Sequence, residues 1–148
     1  MQTLTSLLRR IYDTPACLAL VPPLAVIIDY SLTFFLAGST RMILRWEASP
    51  LVRFAVAHDL MALYLAGIVL FYYGASFAVL RILQPSGYYV FGAGLVILVG
   101  IIHVLGGLSW LMKTAWYSDS ILALSVLAII TALCLFGYSL LHQEYSVS

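Results

Sequence analysis

The sequence predicts an all-α membrane protein, a polytopic bundle of four transmembrane helices preceded by a short interfacial helix. Three observations carry this. Four apolar runs, at about residues 17–40, 54–82, 88–112 and 119–141, are each long enough to cross a hydrocarbon core of about 30 Å at 1.5 Å per residue. Hydrophobic residues make up 64% of the chain and charged ones 9%, with a mean hydropathy of +1.06, where a soluble domain carries about 25% charged residues. The runs are also continuously apolar and lack the alternation of membrane-barrel strands. Four spans and their loops use up the 148 residues, so 1–148 is expected to be a single bundle domain.

The first fifteen residues, MQTLTSLLRRIYDTP, repeat Leu4, Leu7, Leu8 and Ile11 at helical spacing and carry Arg9 and Arg10. No small-x-small cleavage site followed by a soluble domain is present, so this segment reads as a helix on the membrane surface with its arginines at headgroups. Pro22 and Pro23 suit a first helical turn, which starts the first span near Pro22 and carries it to about Arg45, with 16–21 entering irregularly. Ser49-Pro50 starts the second helix, and Gln84-Pro85-Ser86-Gly87 ends it. The third ends near Lys113, and Ser118 or Asp119 caps the fourth. Trp46, Tyr88, Tyr89, Trp110, Trp116, Tyr117, Tyr138 and Tyr145 fall near these boundaries, as interfacial aromatic belts do.

Several function classes are excluded or disfavoured. A formal net charge of +1 makes no case for nucleic acid. Cys17 and Cys134 stand in apolar runs without zinc-site or disulfide spacing and read as small packing residues. No HExxH, GxSxG or phosphate-loop signature is present, and Ser109, six residues after His103, forms no nucleophile pattern.

Charges inside the membrane cost several kcal/mol and are expected to face one another rather than lipid. With Arg41, Arg53 and Lys113 marking one interface, Asp29 lies 12 residues inward and His103 lies 10, so the two differ in depth by about 3 Å. Asp59, with His58 beside it, is six residues inward and about 6–9 Å shallower. Ser125 and Thr131 of the fourth span fall in the same depth range, and Thr33 sits one turn beyond Asp29. His103 shares a face with Gly100, Gly106 and Gly107, and Asp59 with Ala55, Ala62 and Ala66, so both stand on faces suited to helix contact.

Asp29, His58, Asp59 and His103 together suit a divalent metal, for which imidazole and carboxylate are appropriate donors, or a proton relay. The plain alternative is that they are paired only to lock the bundle. Haem is disfavoured, because His58 and His103 differ by about 7–8 Å in depth. In the loop RMILRWEASPLVR, Arg41, Arg45 and Arg53 read first as lipid-headgroup anchors and second as an anion site, with Glu47 as a pairing partner.

Asp29-x-x-x-Thr33, then Gly38, then Glu47-x-Ser49-Pro50-Leu51 resembles the pattern of a prokaryotic four-helix integral membrane family catalogued as a domain of unknown function. The similarity covers about the first 60 residues, and Ser49 stands where that family usually has asparagine. The resemblance implies a small bundle in a prokaryotic cell membrane, with Asp29, Thr33 and Glu47 as the positions to watch, and it implies no activity.

The expectation is therefore a small integral membrane protein of accessory or subunit type with an intramembrane Asp/His cluster. The alternative is a membrane enzyme or transporter using that cluster to bind a divalent metal, a small substrate or protons. The glycine-rich third span, with Gly87, Gly92, Gly94, Gly100, Gly106 and Gly107, suggests a membrane-protein partner or a homo-oligomer. Four basic residues (Arg41, Arg45, Arg53, Lys113) against three (Arg9, Arg10, Arg81) favour both termini outside.

Overall fold

The computed structural model describes residues 4–112 and 114–143, apart from the side chains of Leu7 and of residues 139–143. Lys113 and Tyr145, expected at span boundaries, lie outside that set. Eight helices follow in order among the described residues: α1 (Leu4–Asp13), α2 (Pro15–Leu18), α3 (Val21–Ala37), α4 (Thr40–Trp46), α5 (Pro50–Ala57), α6 (Met61–Leu83), α7 (Tyr89–Met112) and α8 (Ala115–Gln143). Four stretches are long and apolar enough to cross a membrane: Pro15–Ala37, Met61–Leu83, Tyr89–Met112 and Ala115–Tyr138. The chain is thus a helical bundle with four membrane-spanning segments.

Local chemistry sets the boundaries, and in four places they differ from the sequence expectation. The first span ends at Ala37 and does not run on to Arg45, because Gly38 takes a left-handed φ of 68° and closes α3. Ser39 then caps α4 by accepting from Met42 N at 3.4 Å. Residues 16–21 are mostly helical, with Pro15 opening α2 and Pro22 and Pro23 buried in the first turn of α3. The second run, expected to be continuous, is broken between α5 and α6, where Asp59 adopts φ 56° and Leu60 N bonds back to Ala55 O. Finally, α8 begins at Ala115, so Ser118 and Asp119 lie inside its first turns instead of capping it.

The bundle is asymmetric. In α3 and α7, 39% and 33% of the most apolar window is buried, against 11% in α6 and 6% in α8, so α3 and α7 are the inner pair and α6 and α8 flank it. The inner pair runs parallel, as first and third spans of an up-and-down bundle must. Gly100 meets Val21 and Gly107 meets Asp29, offsets of 100 − 21 = 79 and 107 − 29 = 78 residues. A Cβ at Gly107 would lie 2.9 Å from Asp29 Cα, and one at Gly100 would lie 2.8 Å from Val21 Cγ1. Small residues here let two backbones approach where no hydrophobic effect separates helix from lipid.

Three apolar clusters complete the packing. One joins Leu18, Ala19, Leu80, Ala93 and Val96 near the start of α3. A second joins Ala37, Ile43, Val52, Val56 and Trp110 at its other end. A third lies along the α7–α8 seam at Leu95, Ile102 and Ala128. Trp110 therefore belongs to the core, 9% exposed, and not to an interfacial belt, whereas Trp46 and Trp116 are exposed. Cys17 and Cys134, expected as packing residues, are free and exposed. Leu4, Leu8 and Ile11 of α1 are exposed as well, and α1 is tied down by Tyr89 Oη donating to Tyr12 O at 2.6 Å.

Candidate functional site

The close approach of α3 and α7 fixes one polar pair. Gly107 brings the α7 backbone against Asp29 Cα, and Gly106 leaves room for its carboxylate, since a Cβ there would sit 3.5 Å from Asp29 Oδ2. His103, one turn before Gly107, places Nδ1 at 2.9 Å from Asp29 Oδ2. That is the geometry of an Nδ1–H donor and a carboxylate acceptor, and it leaves Nε2 as the nitrogen open to another partner. The Tyr72 ring of α6 meets the imidazole edge-on at 4.9 Å. The Asp29 and His103 side chains keep 16% and 18% exposure, so the pair borders open space and is not sealed within the packing.

That space is a cavity of about 860 Å³ between α3, α6, α7, the start of α8 and the loop after α4. Ligand sites commonly measure roughly 300–1,000 Å³. Its acceptors are Asp29 and Glu47. Hydroxyls come from Tyr30, Thr33, Ser49, Tyr64, Tyr72, Ser109, Thr114, Ser118 and Ser125, indoles from Trp46 and Trp110, and no lysine or arginine is among the described lining residues. Tyr30 Oη and Tyr64 Oη share a 2.9 Å hydrogen bond across α3 and α6. Tyr117 Oη donates to Leu105 O at 3.0 Å and fixes the α7–α8 turn beside the cavity.

The loop from Gly38 to Pro50 delivers Glu47. Trp46 ends α4, Ser49 caps α5 by accepting from Val52 N, and Pro50 opens that helix. Glu47 Oε1 in turn accepts from Ser49 N at 3.0 Å. Burial pushes the Glu47 carboxyl above the usual carboxylate range; the Ser49 N–H opposes this, while the charge of Asp29 adds to it. The expected pairing of Glu47 with an arginine does not occur among the described residues. Arg41, Arg45 and Arg53 are exposed, and Arg45 lies over the Trp46 ring at 5.2 Å.

Of the four expected cluster members, the structure brings together Asp29 and His103 and leaves out the other two. His58 and Asp59 are exposed, with His58 Nδ1 within 2.9 Å of Phe54 O and its ring against Phe54 at 4.2 Å. Their expected depth presumed an unbroken helix inward from Arg53, and the break at Asp59 removes that ruler. Among the described residues no group of three or more His, Cys, Asp or Glu side chains is placed to hold a metal ion.

Of the supporting residues, Thr33, Glu47 and Ser125 line the cavity, whereas Thr131 Oγ1 bonds back to Leu127 O and takes no part. Sequence reading missed the tyrosines, and Ser109, set aside as a nucleophile, lines the cavity as well. Tyr72 could have been found, since a tyrosine 11 residues from either end of a span is too deep for an interfacial belt.

Asp29, Thr33, Glu47 and Ser49, the polar positions of the motif noted above, all line this cavity, and Gly38 supplies the left-handed turn between them. The chain matches no protein-family model, no curated protein and no solved structure.

Proposed function

We propose that this membrane-embedded bundle binds a small polar molecule, or the polar head of a larger one, in the cavity beside Asp29, His103 and Glu47, with the Asp29–His103 pair anchoring it and exchanging a proton with it. The observation that carries this is the hydrogen-bonded carboxylate–imidazole pair on the wall of a hydroxyl-rich cavity with no lysine or arginine among its described lining residues. A carboxylate at Nδ1 fixes the orientation of the ring and leaves Nε2 for a bound hydroxyl or amine, which is the placement that proton transfer requires. A purely structural lock explains the pair but gives no reason for open space lined with polar groups beside it. A divalent metal fits less well, because Glu47 is engaged by its own loop and His58 and Asp59 lie elsewhere. The resemblance to the four-helix family of unknown function draws attention to Asp29 and Glu47 of this site, though not to His103.

The test is native mass spectrometry of the protein released from its own membranes in mild detergent, beside Asp29→Asn, His103→Gln and the outward-facing control Phe35→Ala. The wild type and Phe35→Ala should carry a stoichiometric adduct that the other two lose. Identical adduct patterns in all four, or a bare wild type, would contradict the proposal.

A further inference from the structure

A second cavity, of about 450 Å³, adjoins the first. It is a groove between α6 and α8 floored by α7, and its walls are almost wholly apolar: Val79 on α6, Val96 and Ile102 on α7, Ala128 and Ala132 on α8. Phe71 and Ile129 form lips that are 64% and 58% exposed, so the groove opens toward the surrounding lipid. Tyr72, His103 and Ser125 line both cavities. The imidazole that holds Asp29 is therefore the partition between a polar chamber and an apolar slot. Along α6 the slot runs from Phe71 to Val79, eight residues or about 12 Å.

Resting on the reading that the polar cavity binds a ligand, we infer that the ligand is a single-chain amphiphile with an uncharged polyol head. Its head occupies the cavity at Asp29, Glu47 and Tyr72, and its acyl chain lies in the α6–α8 groove. Hydrogen-bond complementarity selects the head: two carboxylates and many hydroxyls accept from a polyol, and no lysine or arginine stands among the described lining residues to pair with a phosphate. The single slot selects one chain.

The probes are 1-monooleoylglycerol and lysophosphatidylglycerol, titrated onto the full chain and followed by native mass spectrometry. The variants are Ala75→Phe, which fills the groove from an exposed position on α6, and Asp29→Asn. The wild type should bind monooleoylglycerol roughly ten-fold or more tightly than Ala75→Phe, and lysophosphatidylglycerol should bind about as weakly as monooleoylglycerol does to Asp29→Asn. Equal affinity of wild type and Ala75→Phe, or tight binding of the phosphate-bearing probe, would overturn the inference. The adduct from native membranes separates the two readings. If it is lost in Asp29→Asn but kept in Ala75→Phe, the cavity still binds a ligand but the ligand is no amphiphile; if both variants keep it, both readings fall.

Discussion

Glu47 shows at the scale of one residue how the loop after α4 is built and what that costs. Its carboxylate satisfies the Ser49 N–H, which orders the chain between two short helices, yet burial there penalises the charged form. Because the folded-state pKa lies above the ordinary 4.5, folding favours the protonated acid. That stabilisation is complete below pH 4.5 and is lost as pH rises through the higher folded value. Glu47→Gln keeps an acceptor for Ser49 N–H and cannot ionise. Thermal unfolding in detergent should therefore show the wild type losing stability relative to Glu47→Gln as pH rises above 4.5. Parallel curves for the two proteins would show that Glu47 is ordinarily solvated.

Asp29 and His103 were legible in the sequence because an ionisable residue inside an apolar span must face a partner, although the depth count from Arg41 to Asp29 crossed the helix break at Gly38. His58 and Asp59 were not, because the count assumed regular helix through a residue that adopts φ 56°.

Glycine spacing decides how the elements pack. Four of the six glycines between 87 and 107 meet atoms of this chain: Gly92 faces Leu83, Gly100 faces Val21, and Gly106 and Gly107 face Asp29. The glycine richness that suggested an outside partner is thus largely accounted for inside the bundle. Gly107→Ala should destabilise the protein by about 1–3 kcal/mol, since the new Cβ would meet the Asp29 backbone at 2.9 Å and no rotamer relieves it. Gly94→Ala, with nothing within 4 Å of the new atom, should be neutral or stabilising by up to about 1 kcal/mol. Equal effects of the two would mean that α3 and α7 do not meet as described. At the α5–α6 break, Asp59→Gly should raise stability by about 1 kcal/mol at most, because glycine adopts positive φ without strain, and Asp59→Val should lower it. Both are read as shifts in unfolding temperature. The number of spans was plain from apolar run length; the breaks at Gly38 and Asp59 were not, because the glycine at 38 was taken as part of a span running on to about Arg45 and Asp59 was counted as regular helix.

For the whole molecule, two closely packed inner helices and two loosely attached flanking ones leave one polar cavity and one apolar groove that share a wall. Hydropathy could announce the spans but not this arrangement, since every span is apolar on nearly all sides and periodicity does not mark an inner face. What did mark it was the exceptions, an aspartate and a histidine among apolar residues with glycines one turn away.

The central claim is that Asp29 and His103 face each other inside the membrane, and a double-mutant cycle measures it most directly. Unfolding free energies in bicelles would be compared for wild type, Asp29→Asn, His103→Ala and the double variant. The contact predicts that the two single losses exceed the double loss by a coupling of about 0.6–1.7 kcal/mol. Strict additivity would contradict it.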